Sequence, residues 1–228
     1  MKKILTICST LDFQNYTRRA TIEAIAKKAK RLDILLYTGL KNQFTKKNTS
    51  QHLKTSTYHF WIPESLNKLP LLRTIESQLR KPFQKKSFET YDVIFFTDPN
   101  QYRLLPYVGD QKVVYLIRDP NILQSERHRI VEQHLLNRAD LVLATSKNLA
   151  VKYLSKYYGF QHANIQYWPN CVDLSLWDVS AMDIKKAGKP TVGVAGNFSE
   201  KRTDYELLET LAKQLPDMQI EIAGKIDR

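Results

Sequence analysis

The sequence predicts an α/β protein whose parallel sheet is covered by helices on both faces. Seven short apolar runs recur in the first 170 residues, and stripes with apolar residues at i, i+3 and i+4 separate most of these runs. A further strand, helix and strand follow within 190–228. Strands that alternate with crossover helices are typical of an open, doubly wound sheet.

The predicted strands are short apolar runs between polar or turn-forming residues. The first, Lys3–Cys8, is too short for the apolar core of a signal peptide, so we assign it to the sheet. No segment approaches the roughly 20 apolar residues that span a bilayer. The other six strands of the first part are predicted at 33–38, 57–62, 92–97, 113–117, 141–145 and 165–168.

Helices are predicted between most of these strands. One helix contains Leu135 and runs into Ala139, with Ile130, His134 and Arg138 on it. Another begins after Ser146, a residue suited to an N-cap, and ends near Gly159. The helix after the first strand is predicted from one stripe, which comprises Ile22, Ile25, Ala26 and Ala29.

A separate unit is predicted at the end of the chain. A short strand stops at Gly196, Thr203 and Glu206 fit a capping box, and a second strand stops at Gly224. Residues 175–189 lose the apolar pattern, so we predict domains 1–174 and 190–228 joined by a linker. Two strands do not make a stable domain. We therefore expect this second domain to be incomplete and the chain to turn over poorly. The helix stripe comprises Leu208, Leu211, Ala212 and Leu215.

The composition is ordinary for a globular protein, with 43% hydrophobic and 25% charged residues among 228. The net charge of +12 is unevenly divided. The first 175 residues hold 27 basic and 14 acidic residues, whereas the remainder holds 8 and 9. The excess is concentrated in 41–86, with ten basic and two acidic residues. Such a field attracts an anionic membrane surface, a polyphosphate or a nucleic acid.

A stripe of Leu72, Ile75 and Leu79 lies within this basic stretch, between several arginines and lysines. This pattern is typical of an amphipathic segment on an anionic leaflet. The alternative is a helix that packs its stripe on the core and exposes a basic back. The sequence leaves both open.

Several strong chemical signals are absent. No Gly-x-Gly-x-x-Gly follows the first strand, and no phosphate loop or Asp-x-Asp pair occurs. Cys8 and Cys171 offer neither metal spacing nor a disulfide framework, which fits a reducing cytoplasm. His128 and His134 lack companion ligands, so we interpret both as ordinary helix residues. Dehydrogenase and P-loop functions are therefore disfavoured.

Three ordered segments carry a resemblance: NRADLVLATSKNLAVKYL, NIQYWPNCVDLSLW and KPTVGVAGNFSEKRTDYELLETLA. Together they resemble the core of family 4-like GT-B glycosyltransferases, which use sugar nucleotides in bacterial polysaccharide and envelope synthesis. The resemblance implies a Rossmann-like acceptor domain followed by a Rossmann-like nucleotide-sugar domain. Cys171 replaces a family glycine, and is strained if that position needs a positive φ. The matching residues are Ala139, Asp140, Val142, Ser146, Pro169, Asn170, Val172 and Asp173.

The resemblance implies a donor loop after the first strand of the second domain. Gly196 would keep its turn, Asn197 stands where an arginine is usual, and Lys201 matches a lysine with Arg202 beside it. A fixed cation stabilises the nucleoside diphosphate as the glycosidic bond breaks. The alternative is a solvated turn.

On the acceptor side, Arg118 and Asp119 stand where many members have His-Asp. Asp119 is the candidate to take or orient the acceptor proton, although Asp-Pro-Asn is also a common turn. Arg18 and Arg19, at the start of the helix after the first strand, are placed to hold an acceptor phosphate or to face solvent.

The leading hypothesis is a cytoplasmic glycosyltransferase without a bound metal, peripheral on the inner membrane face, that moves a sugar from a UDP- or GDP-sugar to a saccharide or lipid-linked acceptor. Two alternatives stay open. One is a non-catalytic module that binds anionic polymer or membrane, although nucleic-acid motifs are absent. The other is a sugar-nucleotide epimerase of the same fold.

Overall fold

The computed structural model describes residues 1–10, 12–14, 16–38, 52–59, 70–120, 126–159, 164–171, 188–199 and 203–227. The chain divides into two compact units, Met1–Asp173 and Leu174–Arg228. Most of the predicted linker, 175–187, lies outside the described residues. The roles assigned to the two predicted domains stay predictions.

The first unit contains a seven-stranded sheet in which all neighbouring strands are parallel, which confirms the predicted fold class. The strands are β1 Lys3–Cys8, β2 Arg31–Thr38, β3 Thr55–His59, β4 Val93–Phe96, β5 Lys112–Ile117, β6 Leu141–Ala144 and β7 Ile165–Tyr167. Their order in the sheet is β3-β2-β1-β4-β5-β6-β7. Each strand agrees with its prediction to within two residues, except that 60–62 lie outside the described residues.

Helical segments connect most of these strands. Ser146 Oγ accepts a hydrogen bond from the Leu149 amide at 3.1 Å, and Gly159 ends the segment with φ of 60°, so both predicted caps are confirmed. The helices are α1 Arg19–Ala26, α2 Pro70–Phe88, a 3₁₀ helix Pro99–Tyr107, α3 Glu126–Arg138, and a π-helical turn Leu149–Tyr153 that continues into α4 Leu154–Tyr158.

The core lies on both faces of the sheet, because parallel strands with helical crossovers are buried on both sides. On one face Ile7 and Phe96 belong to a cluster with Leu104 of the 3₁₀ helix and Leu135 of α3. On the other face Ile22 of α1 packs with residues of β2. On α3 the inward stripe is Val131, Leu135 and Leu136, whereas Ile130 faces solvent.

The order of the strands creates a switch point beside β1. The chain adds β2 and β3 on one side of β1, and then crosses to place β4 and the later strands on the other side. Connections that leave β1 and β4 therefore diverge, which opens a crevice at the carboxyl ends of these strands. Ligands of open α/β sheets bind in such crevices.

The second unit holds β8 (Thr191–Ser199), α5 (Tyr205–Gln214) and β9 (Gln219–Asp227). The strands β8 and β9 pair in parallel and form a two-stranded sheet. The predicted capping box of Thr203 and Glu206 is wrong. Asp204 caps α5, since its Oδ1 accepts from the Leu207 amide at 2.9 Å. A carboxylate at this end also complements the helix dipole.

The sequence predicts that a strand ends at Gly196, and this prediction is wrong. Gly196 lies inside β8, where it pairs with Gly224 of β9. Gly224 has φ of 147°, and a Cβ built there would lie 1.8 Å from the Gly196 carbonyl oxygen. The absence of a side chain at Gly224 therefore permits close approach of the strands, and both strands continue three residues past these glycines, to Ser199 and Asp227.

Candidate active site

A small crevice of about 140 Å³ lies at the carboxyl ends of β4 and β5. The segment that follows β1 contributes Arg18 to its lining, and the segment after β5 contributes Arg118 and Asp119. The structure thus brings together three of the candidate site residues, and His128, which the sequence analysis interprets as an ordinary helix residue, also lines the crevice. The polar lining comprises Arg18, Thr97, Asp98, Asn100, Arg118, Asp119 and His128.

Gln101, which is fully buried, joins the strand ends beneath this crevice. Its Oε1 accepts from the amides of Thr97 at 2.8 Å and Asp98 at 3.2 Å. Its Nε2 donates to the Ile7 carbonyl at 3.1 Å and to Ser9 Oγ at 2.9 Å. One side chain therefore satisfies backbone groups of both strands that flank the switch point.

Arg18 is held at the crevice by neutral groups. Its Nη1 donates to the Tyr16 hydroxyl at 2.5 Å, and that hydroxyl lies 2.9 Å from Thr97 Oγ1. Burial raises the pKa of Tyr16, so this hydroxyl stays neutral. Among the described residues no carboxylate pairs with Arg18, and its Nε is buried without a hydrogen-bond partner. The guanidinium is thus positioned for an anion.

Arg118 and Asp119 form an ion pair at the mouth of the crevice. Arg118 Nε donates to Asp119 Oδ2 at 2.8 Å, and Arg118 Nη1 donates to Thr17 Oγ1 at 3.1 Å. Thr145, at the end of β6, donates to the Arg118 carbonyl at 3.1 Å. The Asp119 side chain remains 54% exposed, so its carboxylate is accessible to a hydroxyl group.

Arg19 does not line the crevice. Its Nη1 donates to the carbonyl and side-chain oxygens of Gln14 at 2.9 and 3.0 Å, and its Nε lies 3.7 Å from Glu23. These contacts fasten the start of α1. The predicted acceptor contact of Arg19 stays a prediction.

The predicted donor loop is only partly described. Asn197 belongs to β8, where its backbone pairs with Lys225, and its side chain lies outside the described residues. Lys201 and Arg202 also lie outside them. The turn predicted at Gly196 is wrong, because that residue is within the strand, but the donor roles stay predictions.

The two cysteines have different environments. Burial raises the pKa of Cys8 to about 12, so its thiol is not a nucleophile at neutral pH. Cys171 is exposed, and its Sγ lies 2.9 Å from Thr21 Oγ1. Among the described residues only glycines have a positive φ, so the cysteine at the family glycine position is unstrained.

Helix α2 buries charged side chains and exposes apolar ones, which is the reverse of the usual distribution. Its buried positions include the charged residues Glu76 and Arg80, which lie 3.6 Å apart. The sequence stripe of Ile75 and Leu79 faces solvent, so packing of this stripe on the core is ruled out; Leu72 is half-buried. The exposed stripe is longer than predicted and comprises Leu71, Ile75, Leu79 and Phe83, which are 71%, 46%, 59% and 78% exposed.

Sequence reasoning missed the crevice floor and a second, larger cavity. Gln101 had a signal, because Asp98 and Gln101 have the spacing of a capping box, which the structure contains. The second cavity, of about 530 Å³, lies between α2, the 3₁₀ helix and α3. Tyr102 and His134 line it from segments that are far apart in sequence, and no local pattern announces such a pair.

Within the part of the chain that the structure describes, no group of three or more His, Cys, Asp or Glu side chains is arranged to hold a metal ion. None of its helices combines the length and apolarity that crossing a bilayer requires.

No family model and no curated protein matches the chain. Solved structures do. Sucrose-phosphate synthase from Thermosynechococcus elongatus is similar with a TM-score of 0.60 and 16% identity, over 100% of this chain and 71% of that one. Arabidopsis thaliana UGT89C1, complexed with UDP-L-rhamnose, gives 0.52 and 14%, over 98% and 70%. The chain has a GT-B-type fold.

A UDP-N-acetylglucosamine 2-epimerase is also similar, with a TM-score of 0.54 and 11% identity, over 99% of this chain and 69% of that one. The same fold therefore occurs in transferases and in an epimerase. Because a fold hosts several reactions, the reaction must be argued from the residues of the site.

Proposed function

We propose that the protein is a glycosyltransferase of the family 4-like group, which moves a sugar from a nucleotide-sugar to a saccharide or lipid-linked acceptor in bacterial polysaccharide or envelope synthesis. The observation that carries the proposal is the crevice at the switch point. There, a guanidinium with no carboxylate partner among the described residues, that of Arg18, and an accessible carboxylate, that of Asp119, line one small polar space.

The proposed chemistry follows from these groups. Asp119 accepts the proton of the acceptor hydroxyl, or orients that hydroxyl, as the glycosidic bond of the donor breaks. Arg118 holds the carboxylate in position through its 2.8 Å hydrogen bond. Arg18 binds an anionic group of a substrate, because its charge is not neutralised by a carboxylate among the described residues.

The second unit is proposed to bind the donor. Lys201 and Arg202 supply cations to the diphosphate of a UDP- or GDP-sugar, and Gly196 and Asn197 precede them in the chain. Stabilisation of the departing diphosphate by cations favours the transition state over the ground state. We propose that the reaction needs no bound metal and that the protein works in the cytoplasm.

The direct test is a screen of UDP- and GDP-sugars with candidate acceptors, read out as released nucleoside diphosphate. Asp119→Asn should lower the transfer rate by about 10²–10⁴-fold, the usual contribution of a general base. The matched control is Asp110→Asn, an exposed acid before β5, which should keep the parent rate. A protein that binds no nucleotide-sugar at millimolar concentration would eliminate the proposal.

The epimerase alternative is favoured by one neighbour and is separated by the same experiment. The product of epimerisation is still a nucleotide-sugar, with one sugar carbon inverted, whereas transfer releases the nucleoside diphosphate. NMR of the incubated nucleotide-sugar distinguishes the two products. An epimerised donor without released diphosphate would replace the transferase assignment.

We also propose that α2 contacts an anionic membrane surface. Its four outward apolar side chains lie at i, i+4, i+8 and i+12, so they make one stripe along the helix. Lys81, Lys85 and Lys86 of the same helix are also exposed, and the exposed acid Glu89 lies 3.9 Å from Lys85. Apolar burial combined with attraction to anionic headgroups is the energetic basis of interfacial helices.

Vesicle co-sedimentation tests this surface without any sugar substrate. The full chain should bind vesicles containing phosphatidylglycerol and not pure phosphatidylcholine. Replacing both Leu71 and Phe83 with serine should abolish binding, and Val151→Ser, which removes an apolar side chain that is 70% exposed elsewhere, should not. Unchanged vesicle binding by the double variant would exclude the lipid as the partner. A dimer formed by the wild-type protein and lost in the double variant would exclude it as well.

A further inference from the structure

The second cavity of the first unit is not used by the proposed transfer chemistry. Its volume of about 530 Å³ lies in the range of small-molecule sites. The 3₁₀ helix and its cap connect it with the crevice, since Asp98 and Asn100 line the crevice while Tyr102 and Arg103 line the cavity. A ligand in the cavity is therefore held by the same short segment that shapes the crevice.

One wall of the cavity is aromatic. Tyr102 and His134 stack with ring centroids 5.4 Å apart and ring planes 12° apart. Tyr102 is half-buried, and His134 is exposed although it comes from a helix that packs on the core. A flat aromatic surface attracts the polarised C–H face of a pyranose ring, because the π face is negative.

The polar part of the cavity lining is a buried ion pair. Arg103 Nη2 donates to Glu76 Oε2 at 3.1 Å, and the two side chains are 11% and 4% exposed. Both residues also line the cavity. A carboxylate accepts and a guanidinium donates, whereas a sugar hydroxyl does both, so neighbouring hydroxyls match this pair.

We propose that this cavity binds a saccharide, with a pyranose ring against Tyr102 and His134 and its hydroxyls on Glu76 and Arg103. The inference goes beyond the proposed transferase function, because it adds a saccharide site outside the crevice that holds Asp119. Aromatic stacking with few polar contacts implies binding in the millimolar range for a monosaccharide.

Saturation-transfer NMR on the full chain tests the cavity. The probes are the methyl glycosides of glucose, galactose, mannose and N-acetylglucosamine, together with cellobiose. At least one probe should receive saturation from the wild-type protein. Tyr102→Ala and His134→Ala should each weaken that binding at least fivefold, and Tyr102→Phe, which keeps the ring, should retain it. Tyr167→Ala, which removes another exposed ring on β7, is the matched control.

Every outcome of these measurements either supports or overturns the proposed cavity site. Absence of saturation for every probe, or binding that Tyr102→Ala and His134→Ala leave unchanged, overturns the proposed cavity site. Thermal melts of the variants exclude unfolding as the cause of a loss. Nucleotide-sugar binding is measured in parallel. A protein that binds nucleotide-sugars but no pyranoside refutes the cavity alone, whereas one that binds pyranosides through Tyr102 but no nucleotide-sugar refutes the transferase function and supports saccharide binding.

Discussion

Replacement of Gln101 by methionine should strongly destabilise the first unit. Methionine has a similar shape but neither accepts nor donates as the amide does. The change leaves two backbone amides, those of Thr97 and Asp98, without their acceptor. The Ile7 carbonyl keeps a second donor, because Thr97 Oγ1 lies 2.7 Å from it. The loss is therefore concentrated in two N–H groups beneath the crevice.

The size of the effect follows from the burial of each amide. A buried polar group left without its partner costs about 1–3 kcal/mol. Thr97 is fully buried and its bond is short, whereas the Asp98 amide is partly buried with a longer bond. We take about 2 kcal/mol for the first and about 1 kcal/mol for the second, so we expect a total near 3 kcal/mol. For a chain of this size that corresponds to a fall in Tm of about 6–12 °C.

Urea unfolding followed by circular dichroism measures this change, with the slope m compared between variants. Gln133→Met is the matched control, since among the described residues the Gln133 side chain bonds only Asn137, at the exposed side of α3. We expect the control to lie within about 0.5 kcal/mol of the parent. A loss below about 1 kcal/mol in Gln101→Met, or equal losses in both variants, would refute the role assigned to this amide.

Two further predictions concern charge and backbone. Burial raises the pKa of Asp140, but a hydrogen bond and charge from Lys112, with other donors, hold it below its ordinary value. The stabilisation of the fold by the Asp140 carboxylate is complete above about pH 4 and disappears as the pH falls through the lower folded-state pKa. Asp140→Asn should therefore lower the free energy of unfolding, measured by urea titration, by on the order of 1 kcal/mol at pH 7 and not at acid pH. A pH-independent difference would contradict this. Gly224→Ala should open the β8–β9 pair, because the added methyl group meets the Gly196 carbonyl oxygen, and hydrogen exchange of the strand amides should accelerate. Gly193→Ala should leave this exchange unchanged, because there is open space around Gly193. Equal exchange rates in the two variants would contradict the steric explanation.

The strands were predictable because their signal is local. A strand buried on both faces is a continuous apolar run, and all seven were located to within two residues wherever the structure describes them. The glycine error has a physical cause. Gly196 resembles a strand terminator in sequence, but its role depends on Gly224, a neighbour on another strand. The cap of α5 failed similarly, since Thr203 and Asp204 are both good caps and only geometry chooses between them.

The candidate site was predictable only where a rule connects sequence to position. Arg18, Arg118 and Asp119 follow strands, and the carboxyl ends of parallel strands meet at one edge, so the fold class accounts for their convergence. Tyr102 and His134 meet through the packing of two helical segments, and no periodicity encodes that meeting. The buried pair of Glu76 and Arg103 is of the same kind. Sequence patterns usually assign charged residues to the surface, and the inward face of α2 is an exception.

The strand order also constrains how the chain is made. The Lys3 amide, at the start of the central strand, donates to Asp92 Oδ2, a partner 89 residues later. During synthesis β2 and β3 soon follow β1 and form the sheet on one side of it. The other edge of β1 stays unpaired until β4 is made. Closure over so long a loop is slow, and an open strand edge invites wrong pairing. Nascent chains that end before β4 should therefore depend on chaperones, and stalled ones should aggregate through the free edge of β1.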